Sequence, residues 1–93
     1  MTNREKVERA SKAEDLLRNE IFQDAFSYLE KSFYEAWRKS QIEDTESRER
    51  VYQFLQNLDA LRGYFQTVIE DGKLAQMQID EIERQDSFNN RHR

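Results

Sequence analysis

Apolar residues recur along residues 51–68 with the steps of a packed helix: Val51, Phe54, Leu58, Leu61, Phe65 and Val68 are spaced 3, 4, 3, 4 and 3. That spacing brings the chain back to one line on a helix surface, the a/d seam of helix-on-helix packing. A second seam precedes it: Phe22, Phe26, Leu29, Phe33 and Ala36, flanked by Ile21, Ala25 and Trp37. Between them lies the mostly polar segment Gln-Ile-Glu-Asp-Thr-Glu at 41–46. Asp44 or Thr45 can accept from a free backbone N–H of the following helix, and Glu46 and Glu49 favour its first turn. So short a link makes its two helices antiparallel neighbours. The pattern predicts an all-α fold built on an antiparallel helical hairpin of about 20–40 and 46–71.

Two shorter helices flank this hairpin. Residues 4–18 carry the i,i+4 pairs Glu5–Arg9, Glu8–Lys12 and Glu14–Arg18, which support an N-terminal helix. Asn19 marks a bend, because its amide competes for backbone hydrogen bonds. Asp71-Gly72-Lys73 reads as a helix stop with Gly72 just past the end, which leaves a short C-terminal helix over 73–84. Against that stop, Gly72, Ala75, Ile79 and Ile82 keep the phase of the third helix. Gly63, inside that helix, predicts close approach of another backbone. Residues 1–85 then form one helical domain, and 86–93 a flexible polar tail.

The third helix has more than two apolar positions per heptad, since Leu55 and Ile69 fall at e and Tyr64 at g. A face that broad suits two neighbours, and one helix of the hairpin covers only part of it. The expectation is a homo-oligomeric bundle, with a monomeric three-helix bundle as the rival. Its core or oligomer seam comprises Phe22, Phe26, Leu29, Phe33, Trp37, Val51, Phe54, Leu55, Leu58, Leu61, Phe65, Val68 and Ile69. The aromatic residues among them could stack on bases, but the heptad already assigns that face to the interior. Tyr28, Tyr34 and Tyr52 suit a half-exposed interface.

Composition narrows the chemistry. The 93 residues include no cysteine, so disulfides and thiolate metal sites are excluded and a reducing cytoplasm is the expected compartment. No apolar run exceeds a pair, which rules out a transmembrane helix and membrane association is not expected. The one histidine, His92, lies in the predicted tail, so neither a metal centre nor a catalytic triad can be assembled. With Gly63 and Gly72 the only glycines, there is no phosphate loop either. No enzymatic activity and no cofactor are expected. The net charge of −4 argues against a surface wholly devoted to nucleic acid. Arg4, Lys6, Arg9 and Lys12 near the start, and Arg84, Arg91 and Arg93 near the end, are candidate nucleic-acid contacts. Such binding would be weak and salt-dependent in one copy, and multiplied in an oligomer.

The pattern Leu16-Leu17, Phe22, Ala25-Phe26, Leu29, Trp37, Asp44, Arg48-Glu49, Leu58, Leu61-Arg62 and Gly72 carries a resemblance over roughly residues 13–75. It resembles small all-helical proteins of the DNA-packaging and head modules of tailed bacteriophages and gene transfer agents, small terminase subunits in particular. The resemblance implies a non-enzymatic oligomeric adaptor that presents viral DNA to a large terminase subunit, in the cytoplasm of the host cell. Residues 1–19 are too short for the separate N-terminal DNA-binding domain that many small terminases carry. The alternative is a structural or regulatory helical protein–protein interaction module with no nucleic-acid role.

Overall fold

A computed structural model, describing residues 1–91, shows an all-helical chain of three α-helices: α1 (Asn3–Arg18), α2 (Glu20–Lys39) and α3 (Thr45–Arg91). No strand occurs among the described residues. Among them, too, no helix is long and apolar enough to cross a membrane.

Each helix start has a side chain that accepts from an orphan backbone N–H. Thr2 Oγ1 accepts from the Glu5 N–H at 3.2 Å and starts α1. Asn19, expected as a bend, is the N-cap of α2: its extended backbone interrupts the helix for one residue, and its side-chain oxygen accepts from the Phe22 N–H at 3.0 Å. Across this junction Gln23 Nε2 donates to the Leu17 carbonyl at 2.8 Å. Ser40, again extended, closes α2 by donating its backbone N–H to the Trp37 carbonyl. Asp44 caps α3, its carboxylate accepting from the Ser47 N–H at 3.3 Å. Thr45 is already helical, so of the two candidate caps Asp44 fills the role, and Glu46 lies in the first turn.

The expected stop at Gly72 does not occur. α3 runs unbroken for 47 residues, about 70 Å at 1.5 Å per residue. Hence there is no separate helix over 73–84, and residues 86–91, expected as a tail, form the last turns of α3. His92 and Arg93 lie outside the described residues. Gly72 has no left-handed backbone; it is a buried position in the helix interior. A Cβ built there would collide with the Ala10 methyl and stand 3.1 Å from the Lys6 carbonyl oxygen. The close approach of a second backbone, expected at Gly63, therefore occurs at Gly72. A Cβ on Gly63 would meet nothing within 4 Å. Interior glycine costs a helix about 1 kcal/mol relative to alanine, and at Gly72 the packing of α1 offsets that cost.

Contacts within the chain fall into two compact units. One comprises Met1–Asp15 with Phe65–Arg93, the other Leu16–Tyr64. In the first, α1 meets α3 through small side chains: Ala10, Ala13, Gly72 and Ala75 are buried with Ile69, and Val7, Phe65, Val68 and Ile79 are half-buried. In the second, the buried residues are Phe26 of α2 and Leu58 of α3, bordered by aromatic rings. Among the described residues no polar or charged side chain is buried.

The two glycines should respond to alanine with opposite signs. Gly72→Ala overpacks the α1–α3 contact and should destabilise by about 1–3 kcal/mol. Gly63→Ala removes a flexible residue from an open helix site and should stabilise by roughly 0.5–1 kcal/mol. Thermal and urea unfolding followed by circular dichroism would read both; equal effects at the two sites would contradict the assigned contact.

Candidate interaction surface

The α2–α3 pair of the second unit is ordered by five side-chain meetings. The Phe33 and Phe54 rings stack with centroids 5.2 Å apart. The Arg62 guanidinium lies 5.0 Å from the centre of the Phe26 ring and forms an ion pair with Glu30. Near the connecting segment, the Arg48 guanidinium lies 4.7 Å over the Trp37 ring and donates to Ser40 Oγ at 3.4 Å. Residue numbers rise along α2 as those of their partners fall along α3, so these contacts run antiparallel. Phe22 extends the aromatic border, its ring 4.9 Å from that of Phe26.

Both flanks of this pair are apolar at the base but are edged differently. At about 100° per residue, Leu55 and Arg62 fall on one side of the buried Leu58, and Phe54 and Leu61 on the other. On α2, Glu30 and Leu29 likewise fall on opposite sides of Phe26. The flank with Glu30, Trp37, Arg48 and Arg62 has a charged edge: cations lie on its aromatic faces, each worth roughly 0.5–2 kcal/mol, and Trp37 itself stays 45% exposed. The other flank is open. There Phe54 and Leu61 remain 46% and 45% exposed, beside Leu29 on α2. Along α3 this flank continues as Phe54, Asn57, Leu61 and Tyr64, spaced 3, 4 and 3; along α2 it reads Ala25, Leu29, Ser32 and Ala36, spaced 4, 3 and 4.

The residues expected to form one seam thus have different positions. Phe26, Leu58 and Ile69 are buried, and Phe22, Phe33, Val51, Leu55, Phe65 and Val68 are half-buried. Leu29, Trp37, Phe54 and Leu61 stay largely exposed. The covered line of α3 in this unit passes through Val51, Leu55 and Leu58, so it is turned toward the e position relative to the expected a/d line, and the exposed Arg62 follows in the same phase. Arg62 and Arg48 were missed by a reading confined to apolar spacing. The visible signal was an arginine at 62, the e position after Leu58, in the same phase as Leu55.

Of the candidate nucleic-acid contacts, Arg4, Lys6, Arg9, Lys12 and Arg84 belong to the first compact unit. Arg4, Arg9, Lys12 and Arg84 are exposed, and Lys6 is half-buried where its carbonyl faces Gly72. Arg91 is the last residue of α3, and Arg93 lies outside the described residues. Arg84 donates to Glu81 at 2.8 Å. The hydrogen bond and charge of Arg84 hold the Glu81 carboxyl below its ordinary pKa, and Glu81 raises that of Arg84 by the same two causes. On the outer face of α2, Lys31, Tyr34, Glu35, Arg38 and Lys39 line a shallow depression of about 490 Å³, with Glu35 and Lys39 paired at 3.0 Å. Among the described residues, no group of three or more His, Cys, Asp or Glu side chains is placed to hold a metal ion. Comparison with family models, with curated proteins and with solved structures returns no match.

The Glu81–Arg84 pair gives a pH-dependent readout. A carboxyl whose pKa is lowered in the folded chain keeps its favourable interaction above its unfolded pKa and loses it as pH falls through the lowered folded value. Carboxyl chemical shifts should therefore place the Glu81 midpoint below that of an ordinary glutamate, and Arg84→Gln should return it to the ordinary range. An unchanged midpoint in the variant would remove Arg84 as the cause.

Proposed function

We propose that this chain is a non-enzymatic helical adaptor that acts by self-assembly, with the open flank of its antiparallel α2–α3 hairpin seated on a second copy in an oligomeric bundle. The observation that carries this reading is the different edge of the two flanks. One is edged by the cations Arg48 and Arg62 lying on aromatic rings, while the other presents the apolar line Phe54, Leu61 and Leu29, about half in water. Burying such side chains is favourable by about 25 cal/mol per Å² of apolar surface. The open flank also has a small-residue side, Ala25, Ser32 and Ala36, and a bulky side, Phe54, Leu61 and Tyr64. A two-fold contact lets the bulky side of each copy pack on the small side of the other, the self-complementarity that a closed dimer requires.

The packaging form of this reading rests on the sequence resemblance alone. In it the chain serves a phage packaging or head module as a small-terminase-like adaptor, with a large terminase subunit as partner. Arg4, Lys6, Arg9, Lys12 and Arg84 then contact DNA through a few phosphates per copy, with the rest of the binding supplied by multiplicity.

Light scattering or sedimentation velocity should show an oligomer at tens of micromolar, and Leu61→Lys should shift it toward monomer with helicity retained. A strictly monomeric unaltered chain would overturn the assembly. If that monomer binds an apolar dye and a foreign helix displaces the dye, the surface serves another protein instead. The packaging form predicts duplex DNA binding at low salt that weakens steeply as salt rises; absence of binding at low salt excludes it.

A further inference from the structure

The second half of α3 has two distinct faces. Ile69, Gly72 and Ala75, buried, and Ile79, half-buried, face α1. At about 100° per residue, Leu74, Met77, Glu81, Arg84 and Phe88 lie on the opposite side of the same helix. They are spaced 3, 4, 3 and 4, which is an uninterrupted heptad seam. Leu74, Met77 and Phe88 are 59%, 66% and 61% exposed, and every side chain from Asp80 to Asn90 is exposed. An a/d seam in water on a helix that runs past its buried contacts is the surface a second helix covers.

We propose that this stripe is a second self-association surface, pairing antiparallel with the same stripe of another copy about a two-fold axis. The charges choose both occupant and orientation. With Leu74 at a, Met77 is d, Glu81 is a, Arg84 is d and Phe88 is a. A parallel pair matches a with a and d with d, which sets Glu81 against Glu81 and Arg84 against Arg84. Like charges so placed oppose association. An antiparallel pair matches a with d. Glu81 of each copy then meets Arg84 of the other, and Met77 of each meets Phe88 of the other. The order apolar, acid, base, apolar at spacings of 4, 3 and 4 reads as its own complement from the opposite end.

The local geometry suits this pairing. Glu81 and Arg84 already bond within one chain at 2.8 Å, so two such pairs meeting across the axis complete a ring of four alternating charges. Beside them, Glu81, Arg84, Gln85, Phe88 and Asn89 border a shallow groove of about 300 Å³ that receives Met77 of the second copy. Methionine against an aromatic ring is a favourable and adaptable contact. The paired stretch from Met77 to Phe88 spans only about 16 Å of helix, so the association is modest and sensitive to salt. This surface is separate from the open flank of the α2–α3 pair, and each can fail without the other.

Charge complementation in the full-length chain tests the proposal. Glu81→Arg and Arg84→Glu, each alone, should weaken the association step at least ten-fold in sedimentation equilibrium, with helicity unchanged. An equimolar mixture of the two variants should recover it, because opposite charges again face each other. Orientation is read by cross-linking, which is clean in a chain without native cysteine. Met77→Cys mixed with Phe88→Cys should form an intermolecular disulfide on oxidation, and Met77→Cys alone should not. Single charge variants that associate as tightly as the unaltered chain, a mixture that fails to recover, or a disulfide formed by Met77→Cys alone would each overturn the proposal. Leu61→Lys should leave the mixed cross-link intact, which separates this surface from the open flank.

Discussion

The close approach of α1 to α3 at Gly72 is the constraint on which the first unit depends. A helix in a folded protein draws most of its stability from packing, and in this unit α3 packs between Phe65 and Ile79. Of its two interior glycines, the weak points by propensity, Gly72 is the one that another backbone approaches, with Ala10 and the Lys6 carbonyl occupying the space a side chain would fill. The missing side chain thus costs the isolated helix stability and permits the contact that restores it. Because the helix does not end there, the residues after Gly72 keep their phase. The seam from Leu74 to Phe88 exists only because of that continuity.

The two compact units solve helix pairing with opposite materials. Around Gly72 the contact is made by alanines, which bury little area each but let backbones approach closely and gain dispersion over many atoms. Around Leu58 it is made by the stacked rings of Phe33 and Phe54, with Phe22 and Phe26 tilted against each other along α2, and these rings leave edges that water reaches. Arginines finish one of those edges. A guanidinium can lie flat on a ring while its rim stays hydrated or meets a carboxylate, so Arg62 serves Phe26 and Glu30 together without burying an unpaired charge. Neither unit buries a polar side chain among the described residues, and so the fold avoids the desolvation costs that buried charges impose.

The all-helical class and the helix starts were legible because their causes are local. Asn19 and Asp44 have cap chemistry whatever lies beyond them, and a 3–4 apolar rhythm fixes a helix without reference to its partner. The glycines were read the wrong way round for a physical reason. Asp-Gly-Lys is a good stop in isolation, and whether Gly72 ends a helix or admits a neighbour is decided by α1, more than fifty residues away in sequence. Nothing local marked Gly63 as the open one. The seam was legible as a stripe but not as a covered surface. Periodicity gives the phase of apolar residues; which side of that stripe a neighbour takes depends on the angle at which the helices meet. Hence Leu55 is more covered than Phe54, although the strict a/d pattern ranks them the other way.

Exposed apolar residues are ordinary on any protein and by themselves signify nothing. Tyr34 and Ile42 belong to that class here, lying on no shared seam with other apolar side chains. Phase is the better discriminator. Phe54, Leu61 and Tyr64 hold one line along α3, and Leu74, Met77 and Phe88 hold another, each in the heptad phase of helix-on-helix packing. The charges within the second line add direction. Glu81 and Arg84 stand at successive seam positions with opposite signs, so the stripe discourages a parallel copy of itself and welcomes an antiparallel one. An i,i+3 acid–base pair also supports a merely solvated helix, but here Glu81 and Arg84 stand at successive positions of the stripe and are flanked symmetrically by Met77 and Phe88.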